Sequence, residues 1–595
     1  MSYKTITEMF FQCVDKYEKN YCLFDKIDGE WNGITYKEIG EVVDNLASGL
    51  SSIEIGRGDK VAILSTNSSR WAMADYAITG LGAATVTVYP TLTNPQIKYI
   101  FDDSETKYAF VENQEQLDKT LSLVKECKKF KGFILMDDSH NTSNNSISFS
   151  SLIEKGKRFK NETGFNFRES AKSIDENDLL TLIYTSGTTG QPKGAMLSHK
   201  NLVSNVKSGR KAIFIDEDDV LLSFLPLSHV YERMAGHFSA FTGGGRVYYA
   251  ESIEKVADNM REVRPTFMTS VPRLYEKMYA KIIDKVNNDP PLAQKIFWWA
   301  IKIGKKSTPY LVKQQRPGGW LGLKLSLADK LVFSKIKEKV GGRLRYFASG
   351  GAPLSREIAE FFASANILIL EGYGLTETSP VIATNTPEYV KFGTVGRPIE
   401  GVEVKIADDG EILCRGDNVM MGYYNNPEAT KEAIDRDGWF HTGDIGEFDE
   451  EGFLRITDRK KNIIVTSGGK NIAPAPMELS MVTSKFIEQS IVIGDKRNFV
   501  SALIVPAKEN LNQWAIEENI EINDKILEDS SVINLYKNEV DEAMKGFAHY
   551  ETVKKFKLVQ DEWSVDTGEL TPTLKVKRKV VEKKYAELID SIYQA

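Results

Sequence analysis

The sequence predicts an α/β protein of more than one domain: a large N-terminal part of helix-covered, mainly parallel sheets that closes with a small β-rich subdomain, then a small α+β domain. Three observations predict this. At 595 residues the chain exceeds what one hydrophobic core normally organises. Short apolar runs alternate with amphipathic stretches, the pattern of βαβ units. From about Gly393 the rhythm changes to short strands between Asp-Gly and Glu-Gly turns, and beyond Arg459 to a basic, glycine-bearing stretch and a compact α+β pattern.

Taken in order, Ile39 to Leu50 spaces its apolar residues as a helix does, Lys60 to Leu64 is a short apolar strand, Trp71 to Gly80 returns to helix and Ala84 to Tyr89 to strand. Further strands are expected at Tyr108 to Glu112, Gly132 to Met136, Val220 to Phe224, Arg246 to Tyr249, Thr266 to Ser270 and Ile367 to Leu370. Runs this uniformly apolar suit parallel sheets covered on both faces. In the β-rich part the strands are Val402 to Ile406, Gly410 to Cys414 and Gly452 to Ile456, and after it Ile487 to Ile493 and Ser501 to Val505. The domain boundary falls near Lys461, giving residues 1–460, with the β-rich subdomain at about 393–460, and residues 461–595. The Ser/Asn-rich stretch Ser139 to Ser151 reads as a surface excursion.

Composition narrows the class. With 42% apolar and 27% charged residues the chain is neither disordered nor fibrous. Cys13, Cys22, Cys127 and Cys414 lack C-x-x-C spacing, so neither a zinc site nor a disulfide framework is expected, and a reducing compartment is. The N-terminus has no signal-peptide core and no apolar run reaches about 18 residues, which predicts a soluble cytoplasmic protein. A net charge of −7 argues against nucleic acid as a partner. Yet Lys295 to Arg345 holds thirteen Lys/Arg against two acids, with Trp298, Trp299 and Trp320 among them. That mixture suits an anionic lipid surface, possible only as a peripheral contact on the inner face of the membrane, or the capture of acyl-CoA and free fatty acid; a solvated helical excursion is the alternative.

The chemistry begins at Tyr184-Thr185-Ser186-Gly187-Thr188-Thr189-Gly190-Gln191-Pro192-Lys193-Gly194, directly after the apolar run Leu179 to Tyr184. Glycines let successive N–H groups turn toward an anion, while the hydroxyls and Lys193 add donors, so the loop suits phosphate oxygens. A Walker A loop is excluded, because Gly187 and Gly190 stand too close and Gln-Pro separates Gly190 from Lys193. An exposed turn is the plain alternative. The eleven residues resemble the phosphate-binding signature of the AMP-forming, adenylate-forming synthetases, which include acyl-CoA synthetases, luciferases and peptide-synthetase adenylation domains.

That resemblance implies ATP, Mg²⁺ and a carboxylic acid. Carboxylates are poor electrophiles, so joining one to a thiol requires a better leaving group first, and adenylation supplies AMP. Thr185, Ser186, Gly187, Thr188, Thr189, Gly190 and Lys193 would hold the triphosphate. Glu371-Gly372-Tyr373-Gly374-Leu375-Thr376-Glu377-Thr378 matches the family's nucleotide motif: Tyr373 would stack on adenine, Thr376 would contact phosphate, and Glu377, with Thr185, would hold Mg²⁺. Alone, Thr376-Glu377 would read as a helix-capping pair. Gly351 and Ala352, in Ser349-Gly350-Gly351-Ala352-Pro353, resemble the segment beside the adenine, and Asp444, in Gly438 to Asp444, the acceptor of both ribose hydroxyls. Arg459 matches the ribose-contacting arginine, and Lys461 the hinge of a mobile C-terminal lid. Lys575, in Thr571 to Arg578, resembles the adenylation lysine, with Lys577 as backup because the family's commoner form reads Ser-Gly-Lys. Gly468 and Gly469 fit the loop that lines the pantetheine tunnel of coenzyme A in the second half-reaction, with Glu478 a partial match nearby. His229 stands where the family places a residue near the acyl carboxylate, although a lone histidine is as often structural.

The run Leu225 to Arg233, the stretch Val271 to Lys277 and the long insertion after it resemble long-chain fatty acyl-CoA synthetases, and the resemblance spans roughly residues 35–580. It implies ATP-dependent activation of a long-chain fatty acid through an acyl-adenylate to acyl-CoA. Two other readings stand beside it: a fatty acyl-AMP ligase that loads a carrier protein, and a non-catalytic nucleotide- or lipid-binding module. Lys575, Glu377 and Asp444 speak against the second of these.

Overall fold

Two large mixed sheets, joined by one core, form the N-terminal domain of the computed structural model, which describes residues 2–138, 145–185, 191–467, 470–565, 567–571 and 575–594 (Asn471 by its backbone). The first sheet runs in the order Gly422–Tyr423, Lys193–Ser198, Leu179–Thr185, Ala84–Val88, Lys60–Leu64, Tyr108–Val111, Gly132–Leu135, Ser146–Ser148. From Leu179–Thr185 onward its pairing is parallel, as the apolar runs require. Successive residues face opposite covers: Val61 and Ile63 enter the core shared with the second sheet, and Ala62 and Leu64 the core under the outer helices.

The second sheet runs Arg397–Pro398, Val381–Thr384, Leu368–Gly374, Tyr346–Ser349, Phe267–Ser270, Val220–Ser223, Arg246–Tyr249, Tyr21–Ile27, Glu30–Thr35. Three of its features depart from the sequence reading. Tyr21–Ile27 and Glu30–Thr35 form an unforeseen hairpin, turned at Asp28 and Gly29 with φ of 51° and 84°, and its first strand joins the sheet by parallel pairing of Leu23 with Val247. The strand expected to end at Leu370 continues to Gly374, because Val381–Thr384 folds back on it antiparallel. The segment after the phosphate-type loop, Lys193–Ser198, is a strand antiparallel to Leu179–Thr185.

Val402–Ile406, Glu411–Gly416, Phe440–Phe448 and Leu454–Arg459 make a four-stranded antiparallel sheet. The smaller C-terminal domain is built on Ile487–Ile493, Ser501–Pro506 and Lys555–Leu558. This sheet too is covered on both faces, since Val492 and Ile504 enter one core and Ile491, Ile493, Leu503 and Val505 another.

The basic insertion is helical, at Pro291–Leu311 and Gly319–Ala328. It is docked rather than free-standing. Gly304 lies so close to the helix Arg356–Ser364 that a Cβ would sit 2.3 Å from the Ser364 carbonyl oxygen, and Trp299 packs against the same core while Trp298 and Trp320 remain exposed.

Candidate active site

The C-terminal ends of both large sheets, the antiparallel subdomain and the C-terminal domain converge on one cleft of about 2170 Å³. A single small-ligand site usually measures about 300–1,000 Å³, so this cleft has room for more than one substrate.

Asp444 is held on both carboxylate oxygens. Its strand Phe440–Phe448 pairs with Leu454–Arg459 so that Asp444 and Arg459 are register partners. Only 4% exposed, Asp444 accepts from the Arg459 Nε at 2.9 Å through Oδ1 and from the Tyr373 hydroxyl at 2.7 Å through Oδ2. Tyr373 is therefore tied by its hydroxyl to the acid expected to take the ribose, and burial pushes its phenol well above its ordinary range.

Glu377 lies on the short turn Thr376–Thr378, which follows the strand as it leaves the sheet. Gly374 makes that exit possible: a Cβ there would lie 1.8 Å from the Pro380 carbonyl oxygen. The Tyr423 hydroxyl donates to Glu377 Oε1 at 2.8 Å, and the Lys193 ammonium lies 5.1 Å from the centre of the Tyr423 ring. Lys193, from the first sheet, and Glu377, from the second, thus meet through a tyrosine the sequence did not flag. Thr185 donates to the Lys193 carbonyl at 3.4 Å, which leaves its oxygen able to accept or ligate. Among the described residues no group of three acids, histidines or cysteines could hold a metal. One carboxylate and a hydroxyl fit Mg²⁺ all the same, since that ion takes most of its ligands from substrate phosphates and water.

Lys575 enters from the C-terminal domain, where its carbonyl accepts from the Thr571 N–H at 2.8 Å and the Lys577 N–H donates to the Glu569 carbonyl at 2.7 Å. Its Cε lies 3.8 Å from where a Gly351 Cβ would stand, and Gly351 has φ of 85°, so glycine is required there by conformation rather than by space. The side chain is open to solvent along the cleft but ringed by protein within it. Enclosure first, then the Arg459 guanidinium, pull its ammonium from 10.5 down to about 8, against the opposing pull of Asp444 and Glu377. Lys577 also lines the cleft, as do Lys461 and Ala352.

His229 lines the cleft beside Lys575, and burial together with that positive charge drops its imidazole to about 3. It is a neutral ring whose Nδ1 accepts from the Tyr231 N–H at 3.2 Å. Glu371, 7% exposed, is pushed up to about 8 by burial, opposed by backbone donors of Gly393 and Leu354. Gly372 and Thr376 complete this wall. Ser186, Gly187, Thr188, Thr189, Gly190, Gly468 and Gly469 lie outside the described residues. Glu478 anchors its own domain, accepting from the Val492 N–H at 2.7 Å and from Arg578 at 2.5 Å.

Next to the cleft stands a buried charge network that sequence reading passed over. The π-helical segment Glu232–Phe238 buries Glu232 against the hydroxyls of Ser223 and Thr269, and Arg233 against Asp75 at 2.5 Å and 2.9 Å and the Thr181 hydroxyl at 2.9 Å. The adjacent charges in Tyr231-Glu232-Arg233 were the available signal, because fully buried acids and arginines are paired.

The profile of the AMP-binding enzyme family matches residues 10–424, and that of the AMP-binding enzyme C-terminal domain matches residues 461–595. The chain belongs to the AMP-binding enzyme family. Within it, the chain is 36% identical over 589 residues to the long-chain-fatty-acid–CoA ligase FadD15 of Mycobacterium tuberculosis, covering 97% of this chain and 95% of that one. It is 32% identical over 625 residues to the long-chain-fatty-acid–CoA ligase ACSBG2 of Gallus gallus, covering 99% and 81%. The fold matches solved AMP-binding enzymes. The anthranilate CoA ligase AuaEII in complex with anthranoyl-AMP superposes with a TM-score of 0.74 at 18% identity, covering 99% of this chain and 98% of that one. ATP-bound MatB from Rhodopseudomonas palustris gives 0.70 at 22%, covering 98% and 99%.

Proposed function

We propose that this AMP-binding enzyme is a long-chain fatty acid–CoA ligase. The fatty carboxylate oxygen attacks the α-phosphorus of ATP as the bond to pyrophosphate breaks, and the thiol of coenzyme A then attacks the acyl carbonyl of the adenylate, with AMP leaving. The observation that carries this reading is the placement of Lys575 in one cleft with Glu377, Asp444 and Arg459. A cation at that point offsets the charge that builds on the transferring group without bonding to it. Asp444, acceptor-only when ionised, keeps lone pairs for the ribose hydroxyls beyond those given to Tyr373 and Arg459. Bound Mg²⁺ would be held by Glu377 and Thr185 and would neutralise charge on the phosphates. His229, neutral at physiological pH, can donate to the acyl carboxylate but cannot serve as an acid. The same cleft is also lined by Ile213, Ile215, Met234, Ala235 and Phe267, apolar surface that suits an alkyl chain.

Residues 1–460 act as the body of the enzyme and 461–595 as a lid that turns at Lys461, bringing Gly468 and Gly469 to the thioester step. The helix Gly319–Ala328 and the residues after it place Trp320, Leu323, Leu327 and Leu331, exposed by 80, 66, 49 and 40%, at helical spacing amid the basic segment. This face would rest on an anionic membrane from the cytoplasmic side, as a peripheral contact. Among the described residues no helix is long and apolar enough to cross a membrane.

The deciding experiment offers a panel of fatty acids with ATP and Mg²⁺ and scores pyrophosphate release with and without coenzyme A. Long acids should give both pyrophosphate and a coenzyme A-dependent thioester. Pyrophosphate release without that thioester, or thioester formed only on a carrier protein, would overturn the assignment in favour of a carrier-loading ligase.

A further inference from the structure

Arg273 stands at the start of the helix Pro272–Asn288, on the wall of the cleft, and reaches across to the C-terminal domain. Its Nη1 donates to the Glu488 backbone carbonyl at 2.9 Å, and its Nη2 pairs with the Glu488 carboxylate. Glu488 lies in Ile487–Ile493, the strand whose next residue, Gln489, exchanges two hydrogen bonds with the backbone of Trp563 at 2.9 and 3.0 Å. Trp563 leads into the segment that carries Lys575. Arg273 therefore grips the C-terminal domain through the same strand that anchors the lysine's segment.

We propose that Arg273 and Glu488 form a releasable latch that holds the C-terminal domain where Lys575 faces the α-phosphate, making Arg273 a positioning residue for adenylation but not for thioester formation. A latch has to let go, and the geometry provides for that. Glu276, one turn along the same helix, lies 3.4 Å from Arg273 Nη1. When the domain turns away, the guanidinium keeps an ionic partner, so release does not strand a half-buried charge. Arg273 and Glu488 have side-chain exposures of 22 and 27%, enough to bias two orientations without locking one.

The proposal rests on the assignment of Lys575 to the first half-reaction, and the experiment separates the two. In the full-length enzyme, Arg273→Ala and Glu488→Arg are each compared with wild type and with Lys575→Ala, in pyrophosphate release from fatty acid and ATP and in thioester formation from supplied acyl-adenylate. A spin label on an exposed residue of each domain, Lys431 and Glu518, reports domain orientation by distance. Both latch variants should lower adenylation by roughly tenfold, the scale of one partly exposed ion pair and its hydrogen bond, with the thioester step unchanged or faster. Both should broaden or shift the inter-domain distance. Arg273→Lys, which keeps a donating cation between Glu488 and Glu276, should retain more adenylation than Arg273→Ala and stay nearer the wild-type distance. Equal loss in both half-reactions, or an unmoved distance distribution, overturns the latch. Failure of Lys575→Ala to act selectively on adenylation overturns the assignment of the lysine instead, while the distance measurement still judges the latch.

Discussion

Lys575 carries the sharpest expectation at the scale of single residues. Its ammonium titrates near 8 because enclosure and Arg459 disfavour the charged form. Since the cation is the useful form, kcat/KM for adenylation should fall as pH rises through about 8. A bound triphosphate adds negative charge and raises the lysine, so the falling limb of kcat should lie at higher pH than that of kcat/KM; coincident limbs would count against the lysine. Replacing Lys575 by Ala should cost about 10²–10³-fold in pyrophosphate release, the usual loss for one charge-stabilising group, with little effect on thioester formation from supplied acyl-adenylate. The convergence of Glu377, Asp444, Arg459 and Lys575 on one cleft from four separate segments was legible because their motifs are contiguous. Tyr423 was not, since a tyrosine in Gly422-Tyr423-Tyr424-Asn425 says nothing of a carboxylate 46 residues away.

Elements decide whether those residues meet. Gly374 lets the motif strand leave the sheet against Pro380, and Gly374→Ala should lower stability by the cost of an overpacked contact, about 1–3 kcal/mol or more, and the thermal unfolding midpoint with it. Calorimetry with the ligand-free enzyme would show it; an unchanged midpoint would mean that the turn can relax. The Arg233–Asp75 pair, with side-chain exposures of 0 and 2%, fastens the π-helical wall to the helix Ser69–Gly80. Arg233→Ala should cost about 3–5 kcal/mol by leaving Asp75 buried and unpaired, whereas Arg233→Met with Asp75→Leu should recover most of it. Denaturant titration of both variants tests the pair. Strands that carry an unbroken apolar run buried on both faces, such as Lys60–Leu64 after its first residue and Gly132–Leu135, were readable from that run alone. The hairpin Tyr21–Thr35 was hidden by its charged, half-exposed residues, and Lys193–Ser198 by the glycine and lysine at its start.

For the molecule as a whole, the expected β-rich and α+β textures of the last third appear as separate sheets, yet the order in which strands cross between the two large sheets is set by long-range packing that no local pattern carries. The basic insertion shows the same limit. Its charge count was plain, but which tryptophan faces outward depends on how Gly304 docks against Ser364. If the exposed row from Trp320 to Leu331 meets lipid, reversing Lys302, Lys305 and Lys306 to Glu should weaken co-sedimentation with phosphatidylglycerol vesicles several-fold, and Trp320→Ser should do so even at high salt, where the apolar contribution remains. Vesicle binding indifferent to both changes would remove the membrane from the picture.

The strands that flank residues 186–190 run antiparallel, Leu179–Thr185 out and Lys193–Ser198 back. A phosphate loop that opens a helix receives a standing positive end from the peptide dipoles. Here Lys193 and Thr185 enter the cleft from strands and not from a helix end. On the proposed roles, the counter-charge for a triphosphate comes partly from Lys193 and partly from a lysine more than 380 residues further along, on the other domain. If the C-terminal domain turns as proposed, nucleotide affinity becomes a gauge of its position: ATP should bind more tightly while Lys575 is docked than after the domain has swung away.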